Sequence, residues 1–206
     1  MFKLKSHTFC LTLVSIFVLT SLIGCGDPDD GFTYKGPTIK IGSLTWMAKN
    51  LNQTTEYGEG WCYNYDNLNC EKYGRLYTWD EANTVCSELS GGWRLPTDAE
   101  WSGLVSVVGG GSVAGGKLKS KTGWNDRSGG ISGNGTDEYN FSALPGGVRL
   151  NNGAFRNVGN DGYWWSASTA TVGGFALGRG MNNYDSVMDT KINDQRDGFS
   201  VRCVKD

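Results

Sequence analysis

The chain has 206 residues, enough for one domain and too few for two of ordinary size. Its 19 basic and 21 acidic residues nearly cancel, which argues against a nucleic-acid partner, because phosphate binding needs clustered Lys and Arg. Glycine is abundant at 31 residues, about twice its usual share of roughly 7%, and 8 Trp, 9 Tyr and 8 Phe accompany it. This composition predicts many turns between short strands, with aromatic side chains in the core.

Residues 1–24 are predicted to be a lipoprotein signal peptide. Lys3 and Lys5 precede an apolar run at 9–19 that is too short to span a bilayer comfortably. The sequence LIGC at 22–25 resembles a bacterial lipobox, in which signal peptidase II cuts before the cysteine. The resemblance implies that Cys25 is acylated on sulfur and amine, which makes a stable membrane anchor. The alternative is an ordinary secretory signal with an incidental cysteine.

Residues 25–37 are predicted to be a flexible, acidic tether. The acidic run after Cys25 resembles the surface-export signal of Bacteroidota lipoproteins, so we expect an outer-membrane lipoprotein exposed on the cell surface. Without Lys3 and Lys5 the mature chain has 17 basic and 21 acidic residues, a net charge of −4. We therefore expect a membrane and a glycan or protein as partners, and no nucleic acid.

Four cysteines follow the anchor, an even number that predicts two disulfides in an oxidising compartment. Three pairings are open, and we favour Cys62–Cys70 together with Cys86–Cys203. The first closes a short local loop. The second ties the first helix to the last strand across a long loop, a constraint worth roughly 4–5 kcal/mol in the chain-entropy model.

The first half of the domain is predicted to contain a hairpin, a short strand and two helices. Apolar residues alternate on both sides of Gly42 and Ser43, which indicates a hairpin with a II′ turn. Residues 61–65 are predicted to be an aromatic strand. The first helix begins at a capping box of Thr78 and Glu81. Its apolar face is predicted to contain Ala82, Val85, Cys86 and Leu89.

Residues 91–101, GGWRLPTDAEW, predict a corner between these two helices. The two glycines supply the positive φ that ends a helix, and the proline keeps the residue before it extended. Thr97 and Glu100 form a second capping box, which opens a helix over 98–108. Beyond it, residues 113–121 are predicted to form a short exposed helical turn that Gly115 and Gly116 weaken.

The second half is predicted to be rich in β-strands. Residues 122–140 form a loop of Gly, Ser, Asn and Asp, and a loop of this length is usually functional or mobile. The turn at 151–153 predicts a hairpin. Short antiparallel strands are predicted at 163–168, 175–181, 186–192 and 199–204.

Catalytic groups are scarce in this sequence. The single histidine, His7, lies in the signal, so the mature domain has no Ser-His-Asp triad, Cys-His pair or His-ligated metal. There is no phosphate-binding loop or dinucleotide fingerprint. We therefore expect no catalytic residues, no cofactor and no bound metal. A two-carboxylate hydrolase stays open, because such pairs meet only in three dimensions.

Two weaker patterns concern binding. Oxygen ligands for calcium are offered by Asn125, Asp126, Asn134, Asp137 and Glu138, although a solvated, turn-rich loop has the same composition. Trp164 and Trp165 are neighbours in a predicted strand, so their rings face opposite sides. An outward ring would stack on a sugar or anchor a protein partner, and the alternative is a ring covered by the 122–140 loop.

Six motifs together resemble the Fibrobacter succinogenes major paralogous domain over residues 38–206. They are IGSLTWMAKNL at 41–51, YGRLYTW at 73–79, GWRLP at 92–96, FSALPGG at 141–147, WWSAS at 164–168 and GFSVRCV at 198–204. That family is similar to C-type-lectin-like domains and to the formylglycine-generating, sulfatase-modifying domain. The resemblance implies an α+β, C-type-lectin-like fold with two helices packed on short antiparallel sheets, and a Cys86–Cys203 disulfide. It implies little about activity.

The sequence departs from these relatives in ways that bear on function. It lacks the Glu-Pro-Asn and Gln-Pro-Asp motifs with which lectins select sugars. The run at 124–126 looks like the lectin calcium motif but precedes the C-terminal strands, so we treat it as coincidence. The redox cysteines of formylglycine-generating enzymes have no free counterparts here.

Residues 164–204 also resemble the variable region of lectin-fold proteins diversified by retroelements, in which a fixed scaffold carries scattered surface residues. A turn-rich exposed segment has a similar composition. The candidate ligand-binding positions are Trp164, Trp165, Thr169, Thr171, Asn182, Asn183, Tyr184, Asp185, Asp189, Asn193 and Asp194.

These patterns favour a non-catalytic binding module that is anchored by lipid at the cell surface and binds a glycan or protein. The alternatives are an enzyme related to the sulfatase-modifying domains, a carboxylate hydrolase, and a structural envelope lipoprotein.

Overall fold

The computed structural model describes residues 32–54 and 60–206. Within these ranges a 3₁₀ turn covers Tyr63–Tyr65, and no helix is long and apolar enough to cross a membrane. The helices and strands follow in the order β1 (Thr38–Ile41), β2 (Leu44–Met47), α1 (Asn67–Tyr73), α2 (Trp79–Glu88), α3 (Asp98–Val107), α4 (Gly111–Leu118), β3 (Val148–Arg149), β4 (Phe155–Arg156), β5 (Asp161–Thr169), β6 (Phe175–Asn182), β7 (Asp189–Asp194) and β8 (Val204–Lys205).

Several predictions concern residues outside the described ranges. These are the signal peptide at 1–24 with its histidine, the lipidation site Cys25, and the first part of the tether at 25–31.

The strands form three small antiparallel sheets in the described chain, with the orders β1-β2-β8, β3-β4 and β5-β6-β7. The hairpin predicted in the first sheet is present: Ile41 pairs with Leu44, and Gly42 takes a φ of +65° at the first turn position. The architecture is therefore α+β, with short antiparallel sheets and two disulfides, as predicted.

Both predicted capping boxes are present. Thr78 caps α2 and Thr97 caps α3, and in each box the glutamate three residues later bonds back to the cap backbone. Arg94, in the corner, reinforces the second box with two hydrogen bonds of 2.8 and 2.7 Å to Glu100. The corner thus fixes where α3 begins.

The prediction of a strand at 61–65 is wrong. Trp61 makes one bridge to Leu76, but Asn64 and Tyr65 have φ angles of +53° and +59°, which extended backbone cannot accommodate. The following segment is the helix α1, whose N-terminus is capped by the Asp66 side chain.

The helical turn predicted at 113–121 is a full helix, and it is packed rather than exposed. Ala114 and Leu118 of α4 are completely buried. At Gly115 a Cβ atom would collide with the backbone carbonyl of Val187. The glycine that lowers helix propensity is therefore what lets this helix pack closely against the chain before β7. The described chain accordingly has four α-helices where the sequence predicted two.

The last predicted strand, 199–204, is mostly not a strand. Only Val204 and Lys205 belong to a sheet, paired with β2. Phe199, Ser200 and Val201 instead bond backbone atoms of Tyr77, Tyr163 and Leu51. The segment thus forms hydrogen bonds with several elements. A regular β-strand would pair with one neighbouring strand on each side and could not contact all of them.

The core consists of two buried clusters on opposite sides of β5. Trp165 packs in the cluster with α2 and the corner, and Trp164 packs in the cluster with α3 and α4. Because successive strand residues face opposite sides, the Trp164–Trp165 pair supplies one ring to each cluster. The strand is therefore covered on both faces.

Arg202 links these parts although it is fully buried and no carboxylate of residues 32–54 and 60–206 is bonded to it. Its Nε donates to Asn50 Oδ1 at 2.7 Å, and its other nitrogens donate to the carbonyl oxygens of Met47, Phe141 and Ser142 at 2.7–3.0 Å. Burial lowers the pKa of Arg202 to about 9. Asn50 Oδ1 also accepts from Trp164 Nε1 at 2.9 Å, so one amide oxygen serves two buried donors.

The disulfides are Cys62–Cys70 and Cys86–Cys203, the favoured pairing of the three that were open. The second joins α2 to the residue after Arg202 inside the first core cluster. It thereby fixes the C-terminal segment beside the corner.

The two disulfides are expected to differ in their contribution to stability. Substituting Cys86→Ala and Cys203→Ala should lower the free energy of unfolding by about 4–5 kcal/mol, and Cys62→Ala with Cys70→Ala by about 2–3 kcal/mol. The reason is the sequence separation, which is 117 against 8. Guanidinium unfolding of the two double variants measures this, and equal losses would contradict the expectation.

Asn50 is expected to be essential for packing. Asn50→Ala should lower the free energy of unfolding by about 3–5 kcal/mol, because it leaves Arg202 Nε and Trp164 Nε1 buried without their acceptor. Asn52→Ala, at an exposed position nearby, is the matched control and should change it by less than about 0.5 kcal/mol. A similar, small effect of both substitutions in urea unfolding would show that the network is dispensable.

Candidate functional site

A groove lies on one face of the β5-β6-β7 sheet, beside the β3–β4 hairpin. Its volume is about 550 Å³. A smaller recess of about 90 Å³ shares Tyr163 and Lys191 with it and continues toward the 182–189 segment. We name the two together the C-terminal groove; its lining includes Leu150, Asn157, Asp161, Tyr163, Lys191 and Asn193.

Tyr163 forms the aromatic floor of the C-terminal groove. Its ring stacks on Phe199 at 5.1 Å, and Phe199 stacks on the buried Trp165 at 4.2 Å, both with an interplanar angle of 23°. These stacked rings connect the floor of the groove directly to the core. Because the ring is supported from behind, Tyr163 presents a rigid apolar surface to the groove.

Hydrogen bonds fix the polar end of the same ring. Tyr163 Oη donates to Asp161 Oδ2 at 3.0 Å, and Asn157 Nδ2 donates to the same oxygen at 2.7 Å. Burial and the negative charge of Asp161 raise the pKa of Tyr163 to about 12. The phenol therefore stays protonated at neutral pH and keeps its bond to the carboxylate.

The charges of the C-terminal groove cancel. Lys191 Nζ pairs with Asp189 Oδ2 at 2.8 Å, and both side chains are partly exposed. The lysine stem lies over Gly180, where a Cβ atom would collide with it. With Arg156 and Asp161 the lining has two positive and two negative groups. Such a surface suits an uncharged ligand with hydrogen-bonding groups.

The prediction that Trp164 or Trp165 contacts a ligand is wrong for this structure, because both side chains are completely buried. Trp164 Nε1 donates to Asn50, and Trp165 Nε1 donates to the carbonyl of Tyr77 at 2.8 Å. The rings do face opposite sides of the strand, but each side is part of the core. Trp164 shares its cluster with Trp124 and Tyr139 of the 122–140 loop, as the alternative predicted, whereas Trp165 is covered by α2 and the corner instead.

The other candidate positions divide into three groups. Asn182, Tyr184, Asp189 and Asn193 line the C-terminal groove. Thr169 and Thr171 are exposed at the far end of β5 and in the loop that follows, and they line neither of its cavities. The remaining positions, Asn183, Asp185 and Asp194, make internal contacts.

These internal contacts hold the 122–140 loop and the end of β7. Asn183 Nδ2 donates to the Asn125 carbonyl at 3.1 Å, and the Asp185 carbonyl accepts from Lys119 Nζ at 2.9 Å. Lys119 is buried, and this burial lowers its pKa to about 8. Asp194 pairs with Arg196 at 2.6 Å, which holds the pKa of that carboxyl well below its usual range. The long loop is thus tied to the 182–185 turn.

The weak calcium candidates do not converge. Both carboxylate oxygens of Asp137 accept from Ser142 at 2.7 Å, and Glu138 pairs with Lys117 at 3.4 Å. Asp126 is exposed, and the Asn134 side chain accepts from the backbone of Trp124. In residues 32–54 and 60–206, no three acidic, histidine or cysteine side chains come close enough to hold a metal ion.

Sequence reasoning missed Tyr163, Asp161 and Lys191, which are the central residues of the groove. A signal was present: Tyr163 precedes the buried Trp165 by two residues and therefore shares its face. The prediction instead chose the neighbouring Trp164 and Trp165 as the ligand-binding aromatic residues. Asp161 lies two residues before Tyr163 in β5 and shares the same face, but the strand was predicted to begin only at 163. Lys191 carried no signal, because only the sheet register places it beside Tyr163.

Comparison with known proteins gives one family. The model of the Fibrobacter succinogenes major domain matches residues 39–205, which confirms the resemblance seen in the six sequence motifs. No curated protein and no solved structure matches the chain. Because the matched range is far more than half of the 206 residues, the chain belongs to the Fibrobacter succinogenes major domain family.

Proposed function

We propose that this domain is a non-catalytic module that binds an uncharged glycan in the C-terminal groove. The observation that carries the proposal is the half-buried Tyr163 ring, which is stacked on the core and bordered by Asp161 and Asn157. Sugar rings have an apolar face and an equatorial belt of hydroxyl groups. A rigid aromatic floor with carboxylate and amide groups at its edge matches both features.

A concave, charge-balanced groove favours a glycan over a protein partner. Protein interfaces of standard size bury about 800 Å² per partner, on surfaces that are mostly flat. The C-terminal groove is instead a cavity of about 550 Å³ on one face of the β5-β6-β7 sheet, beside the β3–β4 hairpin. A chain of sugar residues fits this shape better than a folded protein surface does.

We further propose that the fold is C-type-lectin-like. Two features support this reading: the disulfide from α2 to the C-terminal segment, and the helix–corner–helix unit between α2 and α3. In such a fold the groove residues Tyr184, Asp189 and Asn193 belong to a surface that varies without disturbing the core. They are the positions that a diversified binder would change.

The oxidase-like alternative is less well supported by the described residues. That chemistry uses a free cysteine thiol, and the four cysteines at 62, 70, 86 and 203 are all bonded in disulfides. The groove itself contains Asp161 and Asp189, and both are already bonded to neighbouring side chains.

The attachment of the domain to the outer membrane through Cys25 remains part of the proposal. The support is the LIGC sequence at 22–25 and the acidic tether that follows it. A surface position would place the groove among the polysaccharides outside the cell.

Tyr163→Ala should lower the affinity for a glycan identified on an array at least about tenfold, because it removes the central aromatic contact. Tyr163→Phe keeps the ring and should lose much less. The matched control is Tyr65→Ala, since Tyr65 is 69% exposed and lines neither cavity of the groove. Calorimetric titration measures the affinities, and circular dichroism confirms folding.

Two results would count against the proposal. One is an empty glycan array with the folded domain. The other is a bound glycan whose affinity is the same for the wild type and Tyr163→Ala.

Cys25→Ala should abolish incorporation of labelled palmitate, because the acylated sulfur is then missing. Cys10→Ala, within the signal, is the control and should leave labelling intact. Labelling that persists in Cys25→Ala would refute the lipid anchor but would leave the groove proposal standing.

A further inference from the structure

A second cavity lies apart from the C-terminal groove, between the N-terminal hairpin, the end of α1 and residues 137–144. Its volume is about 810 Å³, larger than that of the groove. We name it the lysine cleft; its lining includes Lys49, Asn52, Lys72, Lys121, Thr122 and Asn140. No residue lines both the cleft and the groove.

The back wall of the lysine cleft is the Arg202 network. Asn50 and Ser142 line the cleft, and both accept hydrogen bonds from the buried guanidinium, through an amide and a carbonyl oxygen respectively. The wall therefore has a fixed positive charge behind it. Because Arg202 is completely buried, water screens this charge less than it would at the surface.

Residues 137–142 give the wall its shape. Asp137, Asn140 and Ser142 all have left-handed φ angles, of 49°, 53° and 51°, which residues other than glycine rarely adopt. The Asp137 carboxylate and Arg202 hold this backbone through Ser142. Asn140 is left exposed at the cleft, with its amide accessible to a ligand.

The rim of the cleft is positively charged. Lys49, Lys72 and Lys121 are exposed, and none of them forms an ion pair with a described residue. The acidic residues of the lining are Glu71 and Asp137, and the latter is bonded to Ser142. With Arg202 behind the wall, positive groups exceed negative ones by two. The whole chain, by contrast, has a net charge of −2.

We propose that the lysine cleft is a second binding site, and that its ligand is an acidic saccharide built from uronic acids. The three lysines attract the carboxylates of such a chain, and a cleft focuses this attraction. The exposed side chains of Asn52, Thr122 and Asn140 offer partners for sugar hydroxyls. Tyr73, Ile39 and Leu144 supply an apolar wall for the sugar rings.

The test uses polygalacturonate as the probe and its methyl ester as the uncharged analogue. The folded Tyr163→Ala variant, in which the central contact of the groove is removed, should bind the acid form at low ionic strength, more weakly at high ionic strength, and should not bind the ester detectably. Isothermal titration calorimetry measures all three conditions. Equal binding of the acid and the ester would refute the assignment of the ligand.

The matched variants locate the site. Lys49→Ala with Lys121→Ala should lower the affinity for polygalacturonate at least about fivefold, the effect of losing two exposed charge contacts. Lys35→Ala with Lys40→Ala removes the same charge from two exposed positions that do not line the cleft and should leave the affinity unchanged. Equal losses in the two double variants would mean non-specific attraction and would overturn the site.

Tyr163→Ala separates this proposal from the first one. It should leave the affinity for polygalacturonate unchanged, because Tyr163 does not line the cleft. Loss of polygalacturonate binding in Tyr163→Ala, with none in the lysine variant, would place the ligand in the groove and refute the cleft.

Discussion

The hydrogen bonds of the buried Arg202 guanidinium hold the N-terminal and C-terminal parts of this domain together. An arginine without a bonded carboxylate is costly to bury, and here four of its N–H donors reach an amide and three carbonyl oxygens. These acceptors belong to the end of β2, the segment after it and residues 141–142. The Cys86–Cys203 disulfide then holds the next residue against α2. The C-terminal segment thus fixes the fold through contacts to many elements rather than through a strand ladder.

The strand β5 connects the packed core to the surface of the C-terminal groove. Its tryptophans enter separate core clusters, so the strand cannot shift its register without removing both rings from their clusters. From Trp165 the stacked rings continue through Phe199 to Tyr163, where the apolar surface reaches the C-terminal groove. A binding surface built in this way is rigid before any ligand arrives, and this reduces the entropy lost on binding.

The two proposed sites differ in charge and therefore in the ligands that suit them. The groove pairs Lys191 with Asp189 and has an aromatic floor, whereas the lysines of the cleft form no ion pair with a described residue and lie in front of a buried arginine. A domain with both would bind a mixed polysaccharide at neutral and acidic residues. Two weak contacts to one chain raise the total affinity through effective concentration, provided that the polymer spans both sites.

The sequence by itself determined the helix caps at Thr78 and Thr97, the hairpin at Gly42 and the family, because each depends on residues at short range or on fixed motifs. It favoured the disulfides Cys62–Cys70 and Cys86–Cys203 among three open pairings, and the tertiary structure decided for them. The tertiary structure decided that both Trp164 and Trp165 are buried, that Gly115 lies in a packed helix, and that Phe199 to Cys203 connect several elements. It also decided the two candidate sites. Tyr163 and Lys191 meet only through sheet register, and Lys49 and Lys121 only through the packing around Arg202. Contacts between residues so far apart in the chain leave no periodic pattern in the sequence, so only the packed molecule reveals them.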